Sequence, residues 1–74
     1  MARHDVESEV TGAVWKILLE VGAPVEAGEV IMILESMKME IPVESPAAGT
    51  LTEVCVAPED NVEEDQVLAV VESE

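Results

Sequence analysis

The sequence is poor in aromatic and basic residues for its length of 74. Trp15 is its one aromatic residue, and Phe and Tyr are absent, so the hydrophobic core must be aliphatic. Three basic residues stand against 17 acidic ones, which gives a net charge of −14. Nucleic-acid binding needs clusters of Arg and Lys to contact phosphates, so that class is excluded. Binding to an anionic membrane surface is disfavoured for the same reason.

Cysteine and long hydrophobic runs are also scarce. Cys55 is the single cysteine, so no intramolecular disulfide forms and a cytoplasmic location is expected. The longest apolar runs, at residues 30–34 and 67–71, have five residues each and are too short to span a bilayer. Residues 1–8 are short and polar, lack the apolar segment of a signal peptide, and are predicted to form a flexible N-terminal tail.

The length of the chain limits the functions that it can have. A chain of 74 residues forms one domain with a thin core. It has little room for the cleft and the several polar groups of a self-sufficient enzyme, so a non-enzymatic role is predicted. Because 49% of the residues are hydrophobic, the chain is expected to fold despite its charge.

The sequence repeats itself at an offset of 37 residues. Residues 10–36 align with residues 47–73 without a gap, and apolar positions coincide almost throughout; Val25, for example, falls on Val62. Two copies of one supersecondary unit therefore predict a domain with quasi-two-fold symmetry.

Short β-branched segments separated by Gly, Pro, Asn and Asp indicate a small all-β sandwich or barrel. Pro42 places its segment at a sheet edge or a bulge. The predicted strands are residues 13–19, 30–34, 39–43, 51–56 and 67–71.

A lysine lies at the junction of the two copies, where a hairpin tip is predicted. Lys38 stands between Met37 and Met39, and two methionines are unusual in a surface turn. Flexible thioethers at an exposed turn suit a recognition surface. The alternative is that both methionines cap the core and Lys38 is an ordinary solvated lysine.

The segment Glu-Ser-Met-Lys-Met-Glu at residues 35–40 resembles the biotin-attachment signature of biotinyl domains. The resemblance extends over residues 9–72 and is closest to small free-standing biotinylated carrier proteins without an inserted thumb. It implies a flattened barrel of two four-stranded antiparallel sheets, with the attachment lysine on a hairpin turn. It also implies that Lys38 carries covalent biotin, that Met37 and Met39 are recognised by the ligase, and that three residues flank the turn: Glu35, Ser36 and Glu40.

The same resemblance implies a biotin carboxyl carrier, monomeric when alone. A biotin protein ligase would modify Lys38, and a swinging arm would move CO₂ from a biotin carboxylase to a carboxyltransferase. No metal is expected. Two other interpretations stay open: a lipoyl carrier for acyl transfer, which uses the same fold, and an unmodified barrel that acts as a docking module.

Two turn positions depart from the family pattern. Glu59 and Asp65 stand where glycines are usual, and glycine is the residue that tolerates positive φ. Either these turns change shape, or the neighbouring Asp60 and Asn61 take the left-handed conformation. All four glycines, at positions 12, 22, 28 and 49, are predicted in turns.

Overall fold

In the computed structural model, residues 2–73 are described, and they form eight β-strands and no helix. Each strand in the first half has a counterpart 37 residues later in the second half. The strands are β1 Ala2–Glu7, β2 Gly12–Ile17, β3 Pro24–Val25, β4 Val30–Ser36, β5 Met39–Glu44, β6 Gly49–Val54, β7 Asn61–Val62 and β8 Val67–Ser73.

The strands form two antiparallel four-stranded sheets. One, called here the terminal sheet, has the order β1-β8-β6-β3, and the other, the hairpin sheet, has the order β5-β4-β2-β7. Each sheet takes two strands from each half of the chain, so the halves are interleaved. The two orders interchange when every strand is replaced by its repeat counterpart, which confirms the predicted two-sheet, quasi-two-fold fold. β5 is an edge strand, as Pro42 predicts.

The core lies between the sheets and is aliphatic apart from a methionine. Buried and exposed residues alternate in the outer strands β1 and β5, which is the pattern of a sheet with one buried face. In the central strands β4 and β8 the alternation is broken, since Ile31 and Met32 are both in the core, as are Leu68 and Ala69. Its buried members are Val6, Val14, Val25, Ile31, Met32, Leu34, Val43, Leu51, Val62, Leu68, Ala69 and Val71.

The predicted flexible tail at residues 1–8 is wrong for residues 2–8. Residues 2–7 are strand β1, which pairs along its length with β8. Val6 is buried in the core, and Ser8 is 1% exposed and donates its backbone N–H to the Gln66 carbonyl at 2.8 Å. An edge strand with one solvated face is rich in polar residues, so this segment looked like a tail in the sequence.

The repeat is also longer than predicted, because β1 corresponds to β5 at the same offset of 37 residues. The Ser8 hydroxyl donates to the Val10 carbonyl at 2.6 Å, and the Ser45 hydroxyl donates to the Ala47 carbonyl at the same distance. These matching contacts show that the symmetric unit includes the segments before residues 10 and 47.

Glu59 and Asp65 adopt the left-handed conformation themselves, with φ of 76° and 69°. Neither alternative predicted for these turns is therefore correct. Glu59 donates its backbone N–H to the Val14 carbonyl at 2.8 Å, just as its counterpart Gly22 donates to the Leu51 carbonyl at 2.7 Å. The symmetric hydrogen bonding fixes the backbone in the left-handed conformation, although this conformation is strained for residues that carry a side chain.

Two of the four glycines lie at strand starts and not in turns. Gly12 and Gly49 are the first residues of β2 and β6. A Cβ atom on either would collide with a backbone carbonyl of the neighbouring strand, at Glu35 and Glu72 respectively. Glycine is required here because the strands approach closely.

Candidate attachment site at the β4–β5 turn

A two-residue turn joins β4 to β5. Ser36 and Met39 are the last pair of the ladder, and Met37 and Lys38 form the turn with φ of 53° and 65°. Positive φ at both central residues defines a type I′ turn, whose twist matches that of the flanking strands. The predicted hairpin tip is confirmed, with Lys38 at its apex.

Both turn residues are in a conformation that favours Asn or Gly. A residue with a Cβ atom in this region loses about 1–2 kcal/mol relative to the right-handed conformation. The ladder of β4 and β5, which runs from Val30 and Glu44 to the turn, imposes this geometry. Backbone strain of this kind persists only where the surrounding structure imposes it.

The turn side chains project into solvent. Met37 is 92% exposed and Met39 is 64% exposed, so the alternative in which they cap the core is wrong. Lys38 is exposed, and within residues 2–73 its ammonium makes no salt bridge. Two large apolar side chains and a free amine are therefore presented together at one tip.

A side-chain hydrogen bond ties the base of the turn to the barrel. The Ser36 hydroxyl donates to the Thr11 carbonyl at 2.9 Å, which links the end of β4 to the β1–β2 connection. Thr11 was not among the predicted site residues, because nothing in the sequence shows that a loop 25 positions earlier meets the turn.

Two carboxylates lie directly behind the turn. Glu35 and Glu40 are opposite each other in the ladder, and both are exposed. Like charges placed directly across a sheet repel, so this pair does not stabilise the hairpin. Their exposed position leaves both carboxylates accessible to a positively charged partner.

The turn lies at the end of the barrel remote from Ala2 and Ser73. Those two residues pair at the start of β1, and β1 runs from there toward the Thr11 loop that contacts Ser36. The barrel measures 36 × 20 × 18 Å. Lys38 is thus held at the tip of an elongated body.

Concave surfaces of the described chain form beside β1 and β5. Two grooves of about 440 and 340 Å³ flank the symmetry-related residues Glu7 and Glu44, and neither is lined by Lys38, Met37 or Met39. No group of three or more His, Cys, Asp or Glu residues within positions 2–73 is arranged to hold a metal ion. No helix in this range is long and apolar enough to cross a membrane.

The barrel presents Lys38 on an exposed, strained turn, which suits a domain that carries a covalently attached group. The sequence profile of the biotin/lipoyl attachment family, described as "Biotin-requiring enzyme", matches residues 3–72. The chain therefore belongs to the biotin/lipoyl attachment family. The profile begins within β1, as the corrected domain boundary requires.

Several relatives are short proteins of similar length. The chain is 36% identical to the biotinylated protein TB7.3 homolog of Mycobacterium leprae, over 92% of this chain and 96% of that protein. It is 40% identical to the biotin/lipoyl attachment protein of Bacillus subtilis, over 85% of this chain and 86% of that protein. These matches confirm the predicted family, and the family's description confirms the predicted biotin cofactor.

Other relatives are large multidomain enzymes. The chain is 35% identical to the urea amidolyase of Saccharomyces cerevisiae over 92% of its own length, which is 4% of that enzyme. Its structure superposes on the urea carboxylase of Kluyveromyces lactis with a TM-score of 0.92 and 33% identity, over 97% of this chain and 6% of that one. Domains of this kind thus occur within carboxylases, of which this chain spans a small part.

Proposed function

We propose that Lys38 is the acceptor for covalent biotin. The observation that carries this proposal is the position of Lys38 at the apex of the strained type I′ turn, exposed and without a salt bridge in the described chain. A modifying enzyme can reach its amine without unfolding the barrel. The family match and the Met-Lys-Met sequence support biotin as the attached group.

The chain supplies the nucleophile and leaves its activation to a biotin protein ligase. The ε-amine attacks the carbonyl carbon of biotinyl-AMP, the new C–N bond replaces the C–O bond to AMP, and the amine loses a proton. Lysine amines are protonated near neutral pH, so a base must take that proton. The carboxylates near the turn, Glu35 and Glu40, are exposed and are not positioned as a buried general base.

We assign the neighbouring residues to recognition and positioning. Met37 and Met39 present flexible apolar surface on both sides of Lys38 and are suited to fill pockets of the ligase. Ser36 holds the base of the turn through Thr11. Glu35 and Glu40 flank the turn and favour a basic partner surface.

We further propose that the loaded domain works as a carboxyl carrier. Bound biotin supplies a ureido nitrogen that takes up a carboxyl group at a biotin carboxylase and gives it up at a carboxyltransferase. The barrel contributes a fixed base for the flexible lysyl arm, and tethering raises the effective concentration of the group at both enzymes. The urea carboxylase on which this structure superposes supports this role.

The attachment proposal is tested by intact-mass measurement after incubation with a purified biotin protein ligase, biotin and ATP. The wild-type chain should gain one biotinyl group. Lys38→Arg should gain none, because a guanidinium is not deprotonated. Lys16→Arg is the matched control, since Lys16 is the other exposed lysine, and it should be modified like the wild type.

Other outcomes of this assay would refute the proposal. Failure of the folded wild-type chain to gain biotin would exclude biotinylation, and the same sample would then be given to a lipoate ligase. A lipoyl adduct would establish the lipoyl carrier, and no adduct with either ligase would leave the docking module.

The carrier role is tested with labelled bicarbonate. Biotinylated wild-type chain, incubated with a biotin carboxylase and ATP, should acquire acid-labile label, whereas Lys38→Arg should not. We expect a monomer in this assay, because a net charge of −14 repels copies of the chain from one another. Failure of loaded chain to take up label would contradict the carboxyl carrier while leaving the attachment site intact.

A further inference from the structure

On the outer face of the terminal sheet, charged side chains lie on both sides of Val70. Val70 is 1% exposed although it lies outside the core cluster, because Asp5 and Glu53 flank it across the ladder. Arg3 bridges these carboxylates, with Nε–Oδ1 of 3.3 Å to Asp5 and Nη2–Oε2 of 3.4 Å to Glu53. The hydrogen bond that Arg3 donates to Asp5 and the two negative charges raise the pKa of Arg3.

The symmetric position on the hairpin sheet is less completely covered, because Ile33 is half-buried whereas Val70 is buried. Ile33, the counterpart of Val70, also points away from the core, but its ladder neighbours are Lys16 and Pro42. Trp15 takes the place that Thr52 occupies in the second half, and it is 46% exposed. We call the surface of Trp15, Ile33 and Pro42 the Trp15 face.

The fold itself does not require an exposed tryptophan at this place. Both sheets have the same bulge here, between Val14 and Lys16 and between Leu51 and Glu53. In the second half Thr52 occupies the equivalent position, and its hydroxyl donates to the Val70 carbonyl at 3.3 Å. Trp15 and Pro42 are exposed, and Ile33 is half-buried. Apolar groups that share one sheet face in this way are characteristic of contact surfaces.

The Trp15 face lies directly behind the attachment turn. Ile33 precedes Ser36 by three residues of the same strand, which corresponds to about 10 Å. Glu35 and Glu40 have the same outward orientation as Ile33 and Pro42 and stand between the face and Lys38, because alternate strand residues share one side of a sheet.

An enzyme that acts on the Lys38 amine itself must approach this surface closely. A specific protein contact covers about 800 Å² on each partner, which is far more than a two-residue turn can provide. The contact must therefore extend from the turn onto a neighbouring face. Enzymes that act at the end of a long flexible arm have no such requirement, because the arm crosses the distance.

We propose that the Trp15 face is the docking surface for the biotin protein ligase, which meets it with an apolar patch bordered by Arg or Lys residues facing Glu35 and Glu40. This inference rests on the proposed attachment of biotin to Lys38. Trp15 is a hot-spot anchor of the contact, and the Lys16 Nζ lies 4.6 Å from the centroid of its ring, a cation–π contact that Lys16→Arg retains.

Steady-state kinetics with purified ligase test the proposal. Trp15→Thr introduces the residue of the equivalent position and should raise the KM for the carrier about tenfold, with kcat unchanged. Leu18→Thr is the matched control, because Leu18 is also 46% exposed but follows the end of β2 remote from the turn. Its KM should stay within about twofold of the wild type.

A competition experiment gives a readout that is independent of the chemical step. Lys38→Arg cannot be modified and should inhibit biotinylation of the wild type, whereas Lys38→Arg with Trp15→Thr should need about ten times more protein for the same inhibition. Thermal melting of each variant establishes that it is folded.

Equal KM values and equal inhibition with and without Trp15 would overturn the docking surface while wild-type biotinylation still stands. No biotinylation of the wild type would overturn the proposed function and this inference together.

Discussion

Replacing Met37 with asparagine should stabilise the fold and weaken the function. Met37 has φ of 53°, and a side chain with a Cβ atom loses about 1–2 kcal/mol there. Asparagine is the residue with a side chain that tolerates this conformation best, so part of that energy is recovered. Because Met37 is 92% exposed, the change removes almost no packing.

The expected gain is therefore about 0.5–1 kcal/mol, which raises the melting temperature of a domain this small by roughly 4 °C. Asparagine is preferable to glycine in this test, because glycine would also increase the entropy of the unfolded chain. Thermal unfolding followed by circular dichroism measures the shift.

Glu59→Asn is the matched control, since Glu59 is exposed and has φ of 76° in a turn without a proposed function. Both variants should gain stability, but only Met37→Asn should become a poorer substrate of the ligase, with kcat/KM about tenfold lower than for the wild type. If Met37→Asn melts at or below the wild-type temperature while Glu59→Asn gains, the attachment turn does not store strain. If both variants are biotinylated at the wild-type rate, Met37 has no part in recognition.

Three further predictions concern the barrel, each measured by urea unfolding. Gly49→Ala should lower the free energy of unfolding by about 3 kcal/mol, because its Cβ would press into the Glu72 backbone. Gly22→Ala has open space around it and should lower that free energy by about 1 kcal/mol. Equal losses would contradict the close approach of the strands at Gly49. Ser8→Ala should cost about 1–2 kcal/mol because it removes a buried hydroxyl that bonds Val10, and a neutral result would refute that role. Deleting residues 1–8 should cost at least about 3 kcal/mol and leave the chain largely unfolded, whereas a stable, cooperative barrel would restore the flexible-tail prediction.

The repeat made the symmetry, the strand type and the exposed lysine predictable. The two halves carry the same local information at matching positions, for example at Gly12 and Gly49, at Val25 and Val62, and in the paired aliphatic runs. The pattern of each half therefore supports the interpretation of the other. The short junction between the predicted strands at 30–34 and 39–43 then favours a hairpin tip. The attachment site follows from local sequence, because its elements are consecutive in the chain.

The first strand was missed although the same offset contains its signal. Val6 falls on Val43 and Ser8 falls on Ser45, but the polar residues around them outweigh these identities. β1 is stabilised by pairing with β8, almost the whole chain away, and no local propensity reports such a partner.

The left-handed conformations of Glu59 and Asp65 could not be predicted from residue type either. Their backbone N–H groups bond carbonyls of the first half, and this long-range hydrogen bonding overrides the preference of the side chains. The openness of the Trp15 face likewise depends on which side chains the fold brings beside Ile33 and Val70.

Peptide mapping of the wild-type chain after reaction with biotin protein ligase locates the attached group directly. We expect one biotinyl group, on Lys38, in the peptide that contains the β4–β5 turn. Modification of Lys16, or an unmodified Lys38 in folded protein with active ligase, would contradict it.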